Sequence, residues 1–168
     1  VRLDGAPGAL VATNVVWGNL GPGVLATRED GARPSRGVRL LGNTIVAPVG
    51  AWAVQLAARS AGAVIANDVL ISLDPARGAI DASIDSLLEL ASGPNAVTPR
   101  FTLDGGATTI DLSGWQIRTH QEQDSVEATA DALFEDLAAG DLRPRRGSPA
   151  LDRGLDRFAT PRSSSRGR

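Results

Sequence analysis

The sequence predicts an all-β fold, a β-solenoid that ends in a mixed, partly helical capping segment. Its first half holds three copies of one pattern, an apolar strand that meets an asparagine and resumes as a second apolar strand, at residues 8–16, 37–46 and 62–70. Glycine, asparagine and proline mark the corners, and no helical period appears. Repeats of this kind are typical of solenoids, in which stacked coils bury a shared core.

The three copies align when Asn14, Asn43 and Asn67 are taken as equivalent. Asparagine tolerates the left-handed backbone of a corner, and stacked amides can donate and accept hydrogen bonds along the axis. The first interval is longer because residues 30–34 form a turn-rich insertion. Side chains alternate along a strand, so positions of one parity should face inward. These positions hold Val11, Leu40 and Val64 before the asparagine, and Val16, Ile45 and Val69 after it.

A further strand, which we call the second strand of the coil, follows the whole asparagine pattern each time. Its copies align at Val24, Val54 and Ile80. This alignment places Ala26, Leu56 and Ala82 on the inner side, and Leu25, Gln55 and Asp81 on the outer side. The alternative interpretation is a series of ordinary hairpins with Asn-rich turns. Consistent parity on both flanks of the asparagine favours the solenoid.

The chain changes character after the repeats. We expect another strand at residues 84–90, a hairpin around Gly105-Gly106 at residues 101–110, a short helix at residues 112–117 capped by Asp111, and a second helical stretch at residues 125–134. The predicted organisation is therefore coils at residues 1–90, a capping segment at residues 91–156, and a Ser/Arg-rich disordered tail at residues 157–168. Such a cap would cover the open edge of the last coil.

Composition narrows the range of functions. The chain is 42% apolar with a net charge of -2, which is typical of a soluble globular protein. Its basic residues are arginines scattered among acids, so no nucleic-acid partner is expected. We also expect the protein to be a monomer. Without cysteine there is neither a disulfide nor a thiolate metal site, and no apolar run is long enough for a membrane span. The abrupt start at Val1 suggests the C-terminal part of a longer protein, whose targeting signal would lie upstream.

The C-terminal segment resembles a known family. Residues 130–136, 139–144 and 147–154 are similar to the closing motif of bacterial right-handed parallel β-helix proteins, which are pectate-lyase-like solenoids. Residues 105–109 and 112–116 are similar to the segment that joins coils to motif in that group. Two departures stand out: Asp131-Ala132 replaces the usual Asp-Pro, and the family's final Asp-x-Gly-Ala-x-Glu element is missing.

This resemblance implies a right-handed parallel β-helix that is secreted by a bacterium. The family contains lyases, hydrolases, epimerases and proteins of no known activity, so membership does not define a reaction. It implies that the chain acts on or binds a polysaccharide or cell-wall polymer. If the chain belongs to a polysaccharide lyase or glycoside hydrolase, its catalytic residues should lie mostly in coils upstream. The alternatives are a non-enzymatic surface or adhesion solenoid, and a degraded gene product without activity.

Outward side chains on the second-strand face form the candidate binding site. Parity stacks Gln55 beside Asp81 and places Glu29, Arg59 and Asp85 in successive coils, on rungs about 4.8 Å apart. Such rows could grip the hydroxyl groups of an extended sugar chain, and Trp52 could stack on a sugar ring. The simpler interpretation is a set of opposite charges that keeps the face soluble.

No catalytic or metal-binding constellation is evident in the sequence. A lyase would need a cation or arginine and a base, and calcium would need converging carboxylates, which the coils do not offer. We therefore predict no cofactor here and leave calcium to upstream coils. His120, the single histidine, has no triad partner nearby and is interpreted as a solvated loop residue.

Overall fold

The structure is a computed structural model, and it describes residues 1–29 and 33–149. Short strands and two helices follow one another along the chain. The elements are β1 (Arg2–Asp4), β2 (Leu10–Ala12), β3 (Val15–Val16), β4 (Val24–Thr27), β5 (Arg39–Leu41), β6 (Thr44–Ala47), β7 (Val54–Leu56), β8 (Val64–Ala66), β9 (Val69–Ser72), β10 (Ile80–Ala82), β11 (Ala91–Ser92), β12 (Ala96–Val97), β13 (Phe101–Thr102), α1 (Leu112–Thr119), β14 (Val126–Glu127), α2 (Ala130–Leu133), β15 (Phe134–Asp136) and β16 (Asp141–Pro144).

Three parallel sheets form a β-solenoid of about five turns, as the sequence predicts. The first sheet has the order β1-β4-β7-β10-β13, the second β2-β5-β8-β11 and the third β3-β6-β9-β12-β14. In the first sheet Val24 pairs with Val54 and Val54 with Ile80, so the predicted alignment of the second strand is confirmed. The inner positions of this sheet, Ala26, Leu56 and Ala82, are buried.

The third coil of the asparagine repeat lies one residue away from the predicted alignment. Leu40 pairs with Val11 on one side and with Ile65, instead of Val64, on the other. Asn67 therefore aligns with Thr13 and Gly42, and all three have a left-handed backbone with φ between 56° and 65°. The residue that aligns with Asn14 and Asn43 is Asp68, which is fully buried. The alignment fails because Asn67 takes the corner while an acid takes the interior position.

This shift also changes which valines face the core. Ile65 and Leu70 join the inner cluster in place of Val64 and Val69. Val64 lies half-buried on the outer side of the second sheet. Val69 is buried, but it belongs to a second apolar cluster on the outer side of the third sheet. The prediction that Val64 and Val69 point into the coil is therefore wrong, whereas Val11, Leu40, Val16 and Ile45 are buried there as predicted.

Helix α1 closes one end of the inner core. Asp111 caps the helix by accepting a 2.7 Å hydrogen bond from the backbone N–H of Gly114 at Oδ1, as the sequence predicts. The helix delivers Trp115, which is fully buried and stacks on Phe101 with ring centroids 4.9 Å apart. The predicted hairpin at residues 101–110 is a loop closed by one antiparallel bridge between Phe101 and Ile110.

The C-terminal segment packs along the side of the solenoid. The chain from α2 through the antiparallel pair β15 and β16 places Leu133 and Phe134 on the outer face of the third sheet. There they cover an apolar patch made of Val46, Val69, Ile71 and Ala96. The segment predicted as a cap, residues 91–156, contains both parts: α1 lies over the last coil, whereas the hairpin lies laterally.

Three local predictions need adjustment. Residues 84–86 form a short 3-10 turn instead of a strand, and residues 126–127 form β14 instead of a helical turn, so the second helix is only α2. The stacked sheets continue through β11, β12, β13 and β14, past the boundary predicted at residue 90. The insertion at residues 30–32, the end of the closing motif from residue 150, and the tail lie outside the described residues.

Candidate functional site

The outer face of the first sheet carries a row of polar side chains in register. Leu25 pairs with Gln55, Gln55 with Asp81, and Asp81 with Thr102. The side chains of the middle pair meet, because Nε2 of Gln55 donates a 2.7 Å hydrogen bond to Oδ2 of Asp81. The structure thus brings together two of the predicted site residues, on neighbouring rungs of the sheet.

Asp81 is a buried acid at the centre of this row. It is only 7% exposed, and burial raises the pKa of its carboxyl. The hydrogen bond from Gln55, one from the backbone of Gly105 and the charge of Arg77 oppose that shift, whereas the charge of Asp104 adds to it. A carboxyl with a raised pKa exchanges its proton closer to neutral pH than an ordinary aspartate does. Asp81 is therefore the group on this face best suited to proton transfer.

The loop between Thr102 and Ile110 forms a wall at one end of the row. Asp104 organises this loop by accepting 2.7 Å hydrogen bonds from the hydroxyls of Thr108 and Thr102 and a 2.9 Å bond from the backbone of Thr108. The Thr108 contacts, followed by the Thr102 hydroxyl, lower the pKa of Asp104 to about 2. Thr102 is completely buried beneath the loop. The open part of the row is thus Leu25 and Gln55, which are half-buried, with the buried Asp81 beside them.

Trp52 cannot offer its ring to a sugar in this structure, which contradicts the prediction. It is 2% exposed, and the guanidinium of Arg77 lies over the ring, 5.8 Å from its centroid. The loop adds cover, since a side-chain carbon at Gly106 would overlap Nη1 of Arg77 and lie 3.4 Å from Cζ2 of Trp52. Arg77 is fixed there by a 3.2 Å hydrogen bond from Nη1 to the carbonyl of Gly105.

Arg77 is a site residue that the sequence analysis missed. It precedes the strand β10 in a turn, where parity along a strand gives no direction for the side chain. The turn is ordered by Asp74, whose Oδ1 accepts a 2.7 Å bond from the backbone of Ala76. The one signal in the sequence is the closeness of an arginine to the outward Asp81. That signal does not reveal the loop and the tryptophan between which Arg77 is held.

The predicted row of Glu29, Arg59 and Asp85 divides into two ion pairs. Nε of Arg59 lies 3.8 Å from Oδ2 of Asp85, and both side chains are exposed. The Ser83 hydroxyl donates a 2.6 Å hydrogen bond to Asp85 and, with the charge of Arg59, lowers the pKa of that carboxyl. Glu29 instead pairs with Arg2 of the preceding turn. Exposed pairs of this kind add little to stability. Because the side chains of both pairs are exposed, their charged groups remain accessible to a ligand.

His120 lies far along the chain from these rows, at the end of α1. It is exposed and adopts the left-handed backbone, with φ of 56°, that ends the helix. It borders a shallow depression of about 440 Å³ lined by Ser113, Gln116, Ile117, His120 and Gln123. The other lining residues are neutral, and the hydroxyl of Ser113 donates its hydrogen bond to Oδ1 of Asp111 instead of to the imidazole.

The described part of the chain contains neither a metal-binding cluster nor a membrane-spanning helix. Within residues 1–29 and 33–149, no group of three or more His, Cys, Asp or Glu residues is placed to hold a metal ion. The helices in those same ranges are too short and too polar for any of them to cross a membrane.

Comparisons with known proteins do not assign this chain to a family. No protein-family model matches the chain, and neither the curated proteins nor the solved structures contain a match.

Proposed function

We propose that the outer face of the first sheet binds an extended polysaccharide. The observation that carries this proposal is the pairing of Gln55 with Asp81 at 2.7 Å, next to the exposed Arg59 and Asp85 pair on the same two coils. Amides, carboxylates and guanidinium groups spaced by about 4.8 Å along a flat sheet can accept from and donate to successive sugar hydroxyls. A linear polymer would lie along the solenoid axis and contact one coil after another.

The resemblance of residues 130–154 to the closing motif of pectate-lyase-like solenoids supports the same proposal. It favours a bacterial protein that works outside the cell, where polysaccharides and cell-wall polymers are found. In an enzymatic version, a lyase or a hydrolase, Asp81 would take or give the proton, because burial raises its pKa.

A non-enzymatic surface or adhesion solenoid is the second candidate. It is favoured by the lack of converging carboxylates: within residues 1–29 and 33–149 no acidic cluster is placed to bind calcium. The carboxylate of Asp81 is also already engaged by Gln55. In this version the same face holds the polymer without cleaving it.

The proposal is tested by retention of the protein on a panel of pectin, alginate and neutral glucans. Gln55→Ala and Arg59→Ala should each lower the association constant about five- to tenfold, since each removes about 1 kcal/mol of hydrogen bonding. Arg39→Ala is the matched control, because Arg39 is exposed on the second sheet. Lack of wild-type retention on every polymer, or equal losses in all three variants, would contradict the proposed face.

Turnover separates the two candidates once binding is established. Unsaturated products report a lyase, and new reducing ends report a hydrolase. For an enzyme, Asp81→Asn should abolish turnover while retention changes much less. Retention without any product would support the binding solenoid and contradict the enzymatic version.

A further inference from the structure

A ladder of buried polar side chains runs through the corner between the second and third sheets. Its members, which we call the corner ladder, are Asn14, Asn43, Asp68 and Asn95, one in each of four successive coils. The backbone N–H of each of the first three donates to the side-chain Oδ1 of the next, at 3.0, 2.6 and 2.8 Å. Asn43, Asp68 and Asn95 are completely buried.

Oδ1 of Asp68 takes the position that the side-chain oxygen of an asparagine has elsewhere in this ladder. Oδ1 of Asn43 accepts from the backbone N–H and from Nδ2 of Asn14. Oδ1 of Asp68 accepts the same two bonds from Asn43, at 2.6 and 2.8 Å. The two side chains are therefore placed alike, and the second oxygen of Asp68 occupies the place of an amide NH2.

At that place the buried asparagines of the ladder each donate to a backbone carbonyl oxygen of the preceding coil. Nδ2 of Asn43 donates to the carbonyl oxygen of Val11, and Nδ2 of Asn95 donates to that of Ile65. Val11, Leu40 and Ile65 are paired in register across three coils, so the equivalent acceptor for Asp68 is the carbonyl oxygen of Leu40. Among the described residues, Oδ2 of Asp68 has no hydrogen-bond partner, although it is fully buried. An ionised carboxylate here would set a charged oxygen against a carbonyl oxygen in a dry interior, which is costly.

We infer that the folded protein holds Asp68 as the neutral acid, with its Oδ2–H donating to the carbonyl oxygen of Leu40, and that ionisation of this one group loosens the middle of the solenoid as the pH rises. The proton gives Asp68 the donor that each asparagine of the ladder has by nature. The ladder then becomes a pH-sensitive element of the fold.

The surroundings of Asp68 support this assignment. Burial is the main reason that the pKa of Asp68 rises from 3.8 to about 7. The hydrogen bonds from Asn43 and from the backbone of Ala66 oppose the rise, and the charge of Glu122 adds to it. Glu122 is the titratable group that acts on Asp68, and it is also completely buried. Its carboxyl oxygens accept hydrogen bonds from the hydroxyls of Ser92 and Ser125 and from Nδ2 of Asn95. The two acids thus differ in their second oxygen, because both oxygens of Glu122 accept hydrogen bonds whereas Oδ2 of Asp68 has no partner among the described residues.

The sign of the pH effect follows from linkage. Above pH 3.8 the unfolded chain loses the Asp68 proton, while the folded chain keeps it up to about pH 7. Stability from this group is therefore complete below about pH 4, falls between pH 4 and 7, and is level above that range. Over the falling range the unfolding constant contributed by Asp68 rises about tenfold for each pH unit.

The test compares wild type with Asp68→Asn in urea unfolding between pH 4 and pH 9. The asparagine restores the amide that the rest of the ladder has, so we expect the variant to be the more stable protein at pH 8 and the difference to shrink toward pH 4. Asp131→Asn is the control, because Asp131 is exposed in α2, and its profile should follow wild type over this range. Parallel profiles for wild type and Asp68→Asn would overturn the inference.

A second measurement does not depend on stability. Infrared spectra at pH 6 should contain the carbonyl band of a protonated carboxylic acid that Asp68→Asn lacks and Asp131→Asn keeps. The band should disappear reversibly as the pH is raised through about 7. A spectrum without that band at pH 6 would show that Asp68 is ionised in the fold, and the inference would be wrong.

Discussion

The indole of Trp17, in the first complete coil, lies against Gly140 in the final hairpin. A Cβ atom at Gly140 would be 3.1 Å from Cη2 of Trp17, and Trp17 remains 43% exposed on its other side. The two residues are brought together because the hairpin of β15 and β16 lies along the third sheet. The last part of the described chain is thereby fastened to the first.

The first prediction concerns that contact. Gly140 has φ of +78°, so Gly140→Ala should cost about 1–2 kcal/mol of backbone strain and an additional loss from displacing Trp17. Gly147→Ala is the matched control, since its φ is +79° and no described atom lies within 4 Å of the added carbon. Urea unfolding should show a larger loss at position 140. The extra loss should vanish in a Trp17→Ala background, and its persistence there would contradict the contact.

The second prediction concerns the corner ladder. Asn43→Ala removes a buried amide with hydrogen bonds to Asn14, Asp68 and Val11, and it leaves their polar groups unpaired in the interior. We expect the free energy of unfolding to fall by about 2–4 kcal/mol. Asn14→Ala is the control at the exposed end of the ladder and should cost less than about 1 kcal/mol. Equal losses for the two variants would mean that the ladder is not a structural unit.

The third prediction concerns the closed end of the solenoid. Trp115→Ala removes the ring that stacks on Phe101 and seals the inner core, and it should cost about 3–5 kcal/mol. It should also increase the binding of an apolar dye to the exposed core end. Ile117→Ala, on the same helix but 76% exposed, should change stability by less than about 0.5 kcal/mol. A small effect of Trp115→Ala would show that α1 is not needed to close the core.

The fold could be predicted because strand alternation and coil stacking act together. Inward residues repeat with the period of a strand, and each coil places them beside the same positions of the next, as at Val24, Val54 and Ile80. The one-residue error in the third coil has a clear physical origin. A buried carboxylate is normally unfavourable, so the sequence points to Asn67 for the interior position, whereas the fold buries Asp68 there and uses Asn67 for the corner.

The candidate site could be predicted only in part. Parity correctly pairs Gln55 with Asp81, because both lie within strands. Parity does not predict what covers a side chain from outside. The loop around Gly106 and the guanidinium of Arg77 enclose Trp52, so the prediction that its ring is exposed is wrong. The lateral position of the C-terminal hairpin has a similar origin. Its apolar residues, including Leu133 and Phe134, suit an end cap or a side cover equally well, and only the apolar outer face of the third sheet decides.

The corner that holds the ladder has the same short form in three coils, although the coils differ in length. Two residues separate β2 from β3, β5 from β6 and β8 from β9, while consecutive ladder residues are 29, 25 and 27 positions apart. The differences in length are therefore taken up at the other two corners, such as the exposed turn around Val49. A foreign peptide grafted into that turn would be displayed at a fixed position along the solenoid axis. The same graft beside Asn43 would break the hydrogen bonds that join neighbouring coils.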